Sequence, residues 1–276
     1  MNKCRFVVFA DIHYLNQRPK VIDVSLSRKL TQFAIPITDT LVDDINKYKP
    51  DFCVCLGDLI EDTLNHEQDI TNFTYIWNKL KKLHVPFYSV LGNHDLRTMK
   101  SRSELEKIMG IKSATFSFDF NGYHFVVLTT NIREDIGNEN AGIYRTQYMS
   151  ESEINWLRED LEKNKLPCII FTHFGLAEDN LIGNYWFEND PQDGLIGNRN
   201  VIKNIITQNN HVIAVFSAHQ HWTKQLQENG INYYVVGSLT DNIDMQGIPD
   251  GIYLKVELED NTIKIEEDHA KINIGR

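Results

Sequence analysis

Asp51-Phe52-Cys53-Val54-Cys55-Leu56-Gly57-Asp58 is a short apolar run that breaks off at a glycine and an acid. It reads as a strand whose C-terminal end opens into polar chemistry. The same design recurs on either side. Arg5 to Ala10 runs into Asp11-Ile12-His13, and Pro86-Phe87-Tyr88-Ser89-Val90-Leu91 runs into Gly92-Asn93-His94-Asp95. Helical patterns at about 38–48 and 67–83 separate these runs, with a helix start or kink expected at Pro36. Strands alternating with helices in this way predict an α/β fold.

Further along, Asn121-Gly122 joins alternating runs at 115–120 and 123–129, and Asn229-Gly230 joins 223–228 to 231–236. Both are two-residue hairpin signals. Ser150-Glu151-Ser152-Glu153, ahead of Ile154, Leu157 and Leu161, is a capping box that opens a helix ending at about 163–165. Two more strands, 166–172 and 211–217, run into His173 and Ala218-His219-Gln220-His221, and a final pair is expected at 251–258 and 262–267. The irregular stretches 131–149 and 174–197 are too long for plain connections and read as surface loops over a site. At ~150 residues per domain the 276 residues would allow about two domains. No repeat, linker or low-complexity segment divides the chain, so one domain over 1–276 is expected.

The chain carries 28 Lys and Arg against 38 Asp and Glu, a formal charge of −10, which disfavours nucleic acid polymers and anionic membranes. Hydrophobic residues at 42% and charged residues at 24% are those of a globular protein with a real core. Cys4, Cys53, Cys55 and Cys168 all fall in or beside apolar runs without a CxxC, as buried reduced thiols do. No stretch approaches about 18 apolar residues, and none at the N-terminus suits a signal peptide. A cytoplasmic protein is expected.

The chemistry gathers at strand ends. His13, His94, His173, His219 and His221, five of the ten histidines, stand just past predicted strands, as do Asp11, Asp58 and Asn93. In open α/β sheets those ends meet at a ligand crevice. Asp11-x-His13 and His219-x-His221 each present two side chains on one side of an extended segment, suited to gripping one metal or two adjacent ones. Carboxylate, imidazole and amide oxygen suit divalent Mn, Fe, Zn, Co or Ni, with Mn or Fe favoured, and the absence of Cys ligands argues against structural zinc. Residue by residue, other uses exist. Asp11 and Asp58 can cap helices, Asn93 can be a turn residue, and His173 can be a hydrogen-bonded core histidine. Order and placement together favour a two-metal hydrolytic centre. His66, His84, His124, His211 and His269 match no motif.

Asp11-Ile12-His13, Gly57-Asp58-Leu59-Ile60-Glu61, Gly92-Asn93-His94-Asp95, His173 and Ala218-His219-Gln220-His221 resemble the five ordered motifs of the calcineurin-like metallophosphoesterases. Ala218 departs from the family's usual Gly, for which a slight backbone adjustment is expected. Glu61 stands where the purple acid phosphatase branch has an iron-binding Tyr, which argues against that branch. The resemblance implies a four-layer αββα sandwich of two mixed sheets with the metals at strand C-terminal ends. It further implies one metal on Asp11, His13 and His221, a second on Asn93, His173 and His219, and Asp58 bridging them. A metal-bridging hydroxide would attack phosphorus in line. His94 would serve the leaving oxygen and Asp95 would orient His94, with turn capping the other use of Asp95.

Two divalent ions, less Asp11, Asp58 and a hydroxide, leave the cleft at about +1, so the global charge limits substrate size and not its sign. By size and by Gly92-Asn93-His94-Asp95, the nearest subgroups are class III cyclic nucleotide phosphodiesterases and manganese-dependent ADP-ribose and CDP-alcohol diphosphatases. A small phosphodiester or diphosphate, of nucleotide type, is the substrate expected. Candidate substrate contacts are Arg97, Asn131, Tyr144, Arg145, Tyr185, Trp186, Arg199 (on a loop before the last motif) and Trp222, with Tyr14 and Phe174 beside them. The alternative enzyme is a phosphomonoesterase, including a protein phosphatase, although Leu96 follows Asp95 where the Ser/Thr phosphatase branch has Glu. A metal-poor protein-binding scaffold would show lost ligands, and none is lost.

Overall fold

Apolar runs too short to bury themselves pair into sheets, and the helices between them supply the apolar stripes that cover those sheets. The computed structural model describes residues 3–16, 28–132, 147–242, 247–260 and 262–272. Its first half runs β1 (Lys3–Phe9), α1 (Ala34–Tyr48), β2 (Phe52–Cys55), α2 (His66–Leu80), β3 (Phe87–Ser89), α3 (Asn93–Leu96) and α4 (Ser103–Met109). Pro36 lies in the first turn of α1, where no intrahelical N–H is required, so the expected interruption is a helix start. Helix α1 ends on Lys49 in the left-handed conformation, and Pro50 follows. Helix α2 begins on Asn65, whose side chain accepts from the Gln68 N–H at 3.1 Å.

The second half runs β4 (Phe116–Phe120), β5 (Tyr123–Leu128), β6 (Asn131–Ile132), β7 (Gln147–Tyr148), α5 (Glu151–Lys163), β8 (Cys168–Thr172), α6 (Arg199–Gln208) and β9 (Val212–Ser217). It closes with β10 (Lys224–Glu228), β11 (Ile231–Val235), β12 (Ile252–Glu259) and β13 (Thr262–His269). Both Asn-Gly pairs sit at positive φ and close tight hairpins. The capping box at α5 is reciprocal, Ser150 Oγ to the Glu153 N–H and Glu153 to the Ser150 N–H. Helices α4 and α6 lie where the sequence pattern had suggested none.

One sheet has the order β13-β12-β1-β2-β3 and the other β10-β11-β9-β8-β5-β4. Each mixes parallel and antiparallel pairs. The sheets face each other across Phe6, Val8, Phe52, Val54, Phe125, Phe171 and Phe216. Phe6 is the hub, meeting Phe125, Phe171 and Phe216 edge-on at 5.7–5.9 Å between ring centroids. Val7, Phe9, Cys53 and Cys55 point the other way onto Ile37, Leu41, Phe73 and Ile76 of α1 and α2. Val126, Ile170 and Val215 do the same toward Leu157, Leu161, Ile202 and Ile206 of α5 and α6. Helix, sheet, sheet, helix is therefore the layer order, the αββα sandwich expected. All four cysteines are buried and unpaired. Among the described residues no helix is long and apolar enough to cross a membrane.

His124, at the start of β5, is clamped between two acids, Asp119 at 2.6 Å from Nδ1 and Asp160 of α5 at 2.8 Å from Nε2. Burial opposes its charge, but the two carboxylates outweigh burial and raise its pKa above 6.5. The folded state thus holds this proton more tightly than the unfolded chain. The stabilisation is complete below about pH 6.5, the unfolded value, and fades as pH rises through the higher folded value. Thermal melts of His124→Gln should differ from wild type most below that pH and converge in alkali; a difference independent of pH would refute this.

Candidate metal centre

Strand ends place the candidate ligands, but the backbone between them is not extended as the alternate spacing had suggested. Asp11, His13, Asp58, His219 and His221 all sit in the left-handed region, with φ between 47° and 68°. Such conformations cost non-glycine residues energy and persist where surrounding bonds over-determine them. Here the Asp11 and His13 N–H groups donate to the carbonyls of Gly57 and Asp58 at 3.0 Å, and Ser238 and Thr240 hydroxyls donate to the Asp11 carbonyl. The kinks aim Asp11 and His13, and His219 and His221, into one cleft while Ile12 and Gln220 turn into the protein. Gly92 is required by close approach, because a Cβ there would lie 2.1 Å from Asp58 Oδ1. Ala218 fits where the family has Gly, its N–H donating to the His173 carbonyl at 2.8 Å.

Among the described residues three clusters result: Asp11, His13, His221; His13, Asp58, His94; and Asp58, His173, His219, all buried but the partly exposed His219. His13 Nε2 faces His221 Nε2 at 3.0 Å, with Asp11 Oδ1 3.8–4.0 Å from both. On the other side His173 Nε2 lies 3.3 Å from Asp58 Oδ2 and 3.2 Å from Asn93 Oδ1. Asp58 Oδ1 accepts the His94 N–H, and Asp11 Oδ2 the His219 N–H, leaving Asp11 Oδ1 and Asp58 Oδ2 buried without a partner.

The histidines are held from behind. His221 Nδ1–H donates to Asp241 at 2.8 Å, His173 Nδ1–H to the Leu56 carbonyl at 2.7 Å, and His219 Nε2–H to the Asp193 carbonyl at 3.1 Å. Glu61 lies 2.8 Å from His13 Nδ1, off the ring N–H axis. For His221 and His219 these partners fix the tautomer so that the unprotonated nitrogen faces the cleft, as metal-binding histidines require, and the Leu56 carbonyl holds the His173 ring in the same orientation. Burial, reinforced by the Lys29 ammonium, pushes His13 down to about 3, and burial with a positive His173 holds His219 well below the usual histidine range. At His173, burial is overridden by Asp58, which raises it to about 9. A proton on His173 there does what a metal cation would do. Orphaned carboxylate oxygens facing imidazole lone pairs are the donor set of a cation, and the clusters fit a dimetal site.

His94 is oriented by Asp62, 2.6 Å from Nδ1, and not by Asp95 as the motif had implied. Asp95 instead accepts four backbone N–H groups, from Gly92, Asp58, Leu59 and Ile60 at 2.9–3.2 Å, tying the β2 and β3 ends together. Turn capping was the right alternative. Asp95→Ala strands four buried donors at about 1–3 kcal/mol each, so its urea midpoint should report a loss of at least about 3 kcal/mol. An unchanged midpoint would contradict the clamp.

Of the substrate candidates, Trp186 reaches the cleft. Its Nε1–H donates to Asp241 at 2.8 Å and its ring lies 5.6 Å from that of His221. Tyr185 is half-exposed beside it, with the Arg28 guanidinium 4.0 Å from its ring centroid. Phe174 packs on His219, whereas Tyr14 stacks on Tyr75. Arg97 pairs with Asp62 at 2.9 Å. Asn131 instead bonds Glu153 of the α5 cap, and Trp222 bonds Gln220 under Lys224. Arg199 is the first residue of α6, not a loop residue, and anchors Glu178 and Gln192. Tyr144 and Arg145 lie outside the described residues, as does most of 131–149. The 174–197 loop reaches the centre through Asp193, Trp186 and Asn184, whose Nδ2 donates to the Gln220 carbonyl.

No motif had pointed to Asp62, Asp241, Arg28 or Lys29. They complete three matching units: Lys29–Glu61–His13, Arg28–Asp241–His221 and Arg97–Asp62–His94. Each carboxylate behind an imidazole is neutralised by its own cation, so the local charge stays with the groups facing the cleft.

Residues 4–223 match the calcineurin-like phosphoesterase family. A dimetal phosphatase from Danio rerio superposes with a TM-score of 0.75 at 14% identity, over 97% of this chain and 96% of that one. A phosphopantetheinyl hydrolase from Mycobacterium tuberculosis gives 0.54 at 14% identity, over 86% and 90%. At such identity these likenesses show the fold alone. A DNA double-strand break repair protein from Methanococcus maripaludis is 28% identical over 126 residues, 44% of this chain but only 30% of that protein. The family match over residues 4–223 runs from β1 through the His219-x-His221 turn and holds the three His/Asp clusters, and the chain belongs to the calcineurin-like phosphoesterases, a family of metal-dependent hydrolases.

Proposed function

We propose that the protein hydrolyses a small phosphodiester or diphosphate of nucleotide type at a two-metal centre. The observation that carries this is the pair of buried oxygens without a hydrogen-bond partner, Asp11 Oδ1 and Asp58 Oδ2, facing His221 and His173, whose far-side nitrogens are already bonded. Asp11, His13 and His221 would hold one cation, and Asn93, His173 and His219 the other, with Asp58 between them. Two divalent ions, Mn or Fe by the donor chemistry, supply electrophilic activation of the phosphoryl group and of water. His94, its ring edge-on to His13 at 5.0 Å and steadied by Asp62, stands where a leaving oxygen would be served. Trp186 and Tyr185 form an aromatic wall beside His221, a surface on which a base can stack, and this supports the nucleotide reading.

A kinetic panel on manganese-loaded protein tests the proposal, comparing bis-p-nitrophenyl phosphate, p-nitrophenyl phosphate and nucleoside diphosphate derivatives. Higher kcat/KM for the diester or diphosphates is expected. Preference for the monoester would replace this reading with a phosphomonoesterase, and no turnover with any metal would favour a scaffold.

A further inference from the structure

Lys29 makes a contact that metal binding alone leaves unexplained. Its side chain is buried, 6% of the residue remaining exposed. The ammonium lies 3.0 and 3.3 Å from the two Glu61 oxygens and 2.9 Å from His94 Nε2, with the Trp186 ring centroid at 5.6 Å. Neutralising Glu61 requires only the first of these contacts. Because His94 Nδ1–H is committed to Asp62, Nε2 is an acceptor, and Lys29 donates to it. The group presented beside the metal clusters is therefore a fixed cation backed by a carboxylate. Glu61 also lies against His13, so the charge is held at a set place relative to the cleft. A hydrogen bond from ammonium to a phosphoryl oxygen is charge-assisted at both ends and stronger than one to a neutral imidazole.

We infer that Lys29 is a phosphoryl-binding residue, exchanging the His94 nitrogen for a non-bridging oxygen of the substrate while Glu61 and Trp186 hold it in place. This rests on the phosphoester reading above and adds to it a residue outside every motif.

The test is calorimetric titration of the manganese-loaded protein with inorganic phosphate, which needs no turnover. Lys29→Met should weaken phosphate binding about tenfold or more with manganese content unchanged, and Lys29→Arg should lose less. Equal affinity in wild type and Lys29→Met, loss of manganese from Lys29→Met, or a manganese-loaded wild type that binds no phosphate would each overturn the inference. If Lys29→Met does not fold, Lys29→Met/Glu61→Gln is compared with Glu61→Gln, since that pair leaves no buried carboxylate unmatched. A wild type that binds phosphate through Lys29 but cleaves no ester would sink the proposed function and leave this contact standing.

Discussion

Asp58→Asn is expected to lower turnover of bis-p-nitrophenyl phosphate about a thousandfold or more, some 4 kcal/mol at 1.36 kcal/mol per tenfold. Among the described residues Asp58 is the one acid common to two clusters, one with His13 and the other with His173 and His219. Asparagine keeps the size and an oxygen to accept the His94 N–H, so the loop should survive. What it removes is the anion that offsets repulsion between two close cations. Manganese content should accordingly fall from two toward one per chain. Activity within tenfold of wild type, with both metals retained, would show that Asp58 bridges nothing.

Metal should also raise thermal stability by a large step. Asp11 and Asp58 are buried carboxylates, each with one oxygen that accepts no hydrogen bond, and burial together with the neighbouring Asp58 charge opposes ionisation of Asp11, a cost that a cation would relieve. A cation that binds only the folded chain stabilises it by about 2.7 kcal/mol per site at a hundredfold excess over Kd. For two sites, at about 2–4 °C per kcal/mol in a chain of this size, the melting temperature should rise by about 10 °C or more on adding manganese to chelator-treated protein. Identical melts with and without metal would mean that the clusters bind no cation. Asp58→Asn should retain only part of the rise, which links this measurement to the first.

Much of the candidate centre was legible because each candidate ligand stands just past an apolar run. A strand end is a local property of sequence, and Asp11, Asp58, Asn93, His173, His219 and His221 could be listed before any packing was known. The α/β class followed from alternating strands and helices, whereas the αββα layer order came from the resemblance to the calcineurin-like metallophosphoesterases. Short helices were harder. Helix α4 has only seven residues, and α6 follows an irregular loop, so neither stood out by period. Asp95 was misread because its motif places it next to His94. Its carboxylate turns back to the loop N–H groups, and Asp62, from the preceding strand end, takes the imidazole.

By itself the sequence determined which side chains could bind metal and that they stand just past the ends of strands, since motif and strand are both local. Only the tertiary structure decided what stands behind them. Arg28, Lys29 and Asp241 come from segments with no periodicity and no motif, and they matter because the fold carries them against Glu61, His221 and His94. Charge balance in a buried cleft is a sum over neighbours in space, and no spacing along the chain records it.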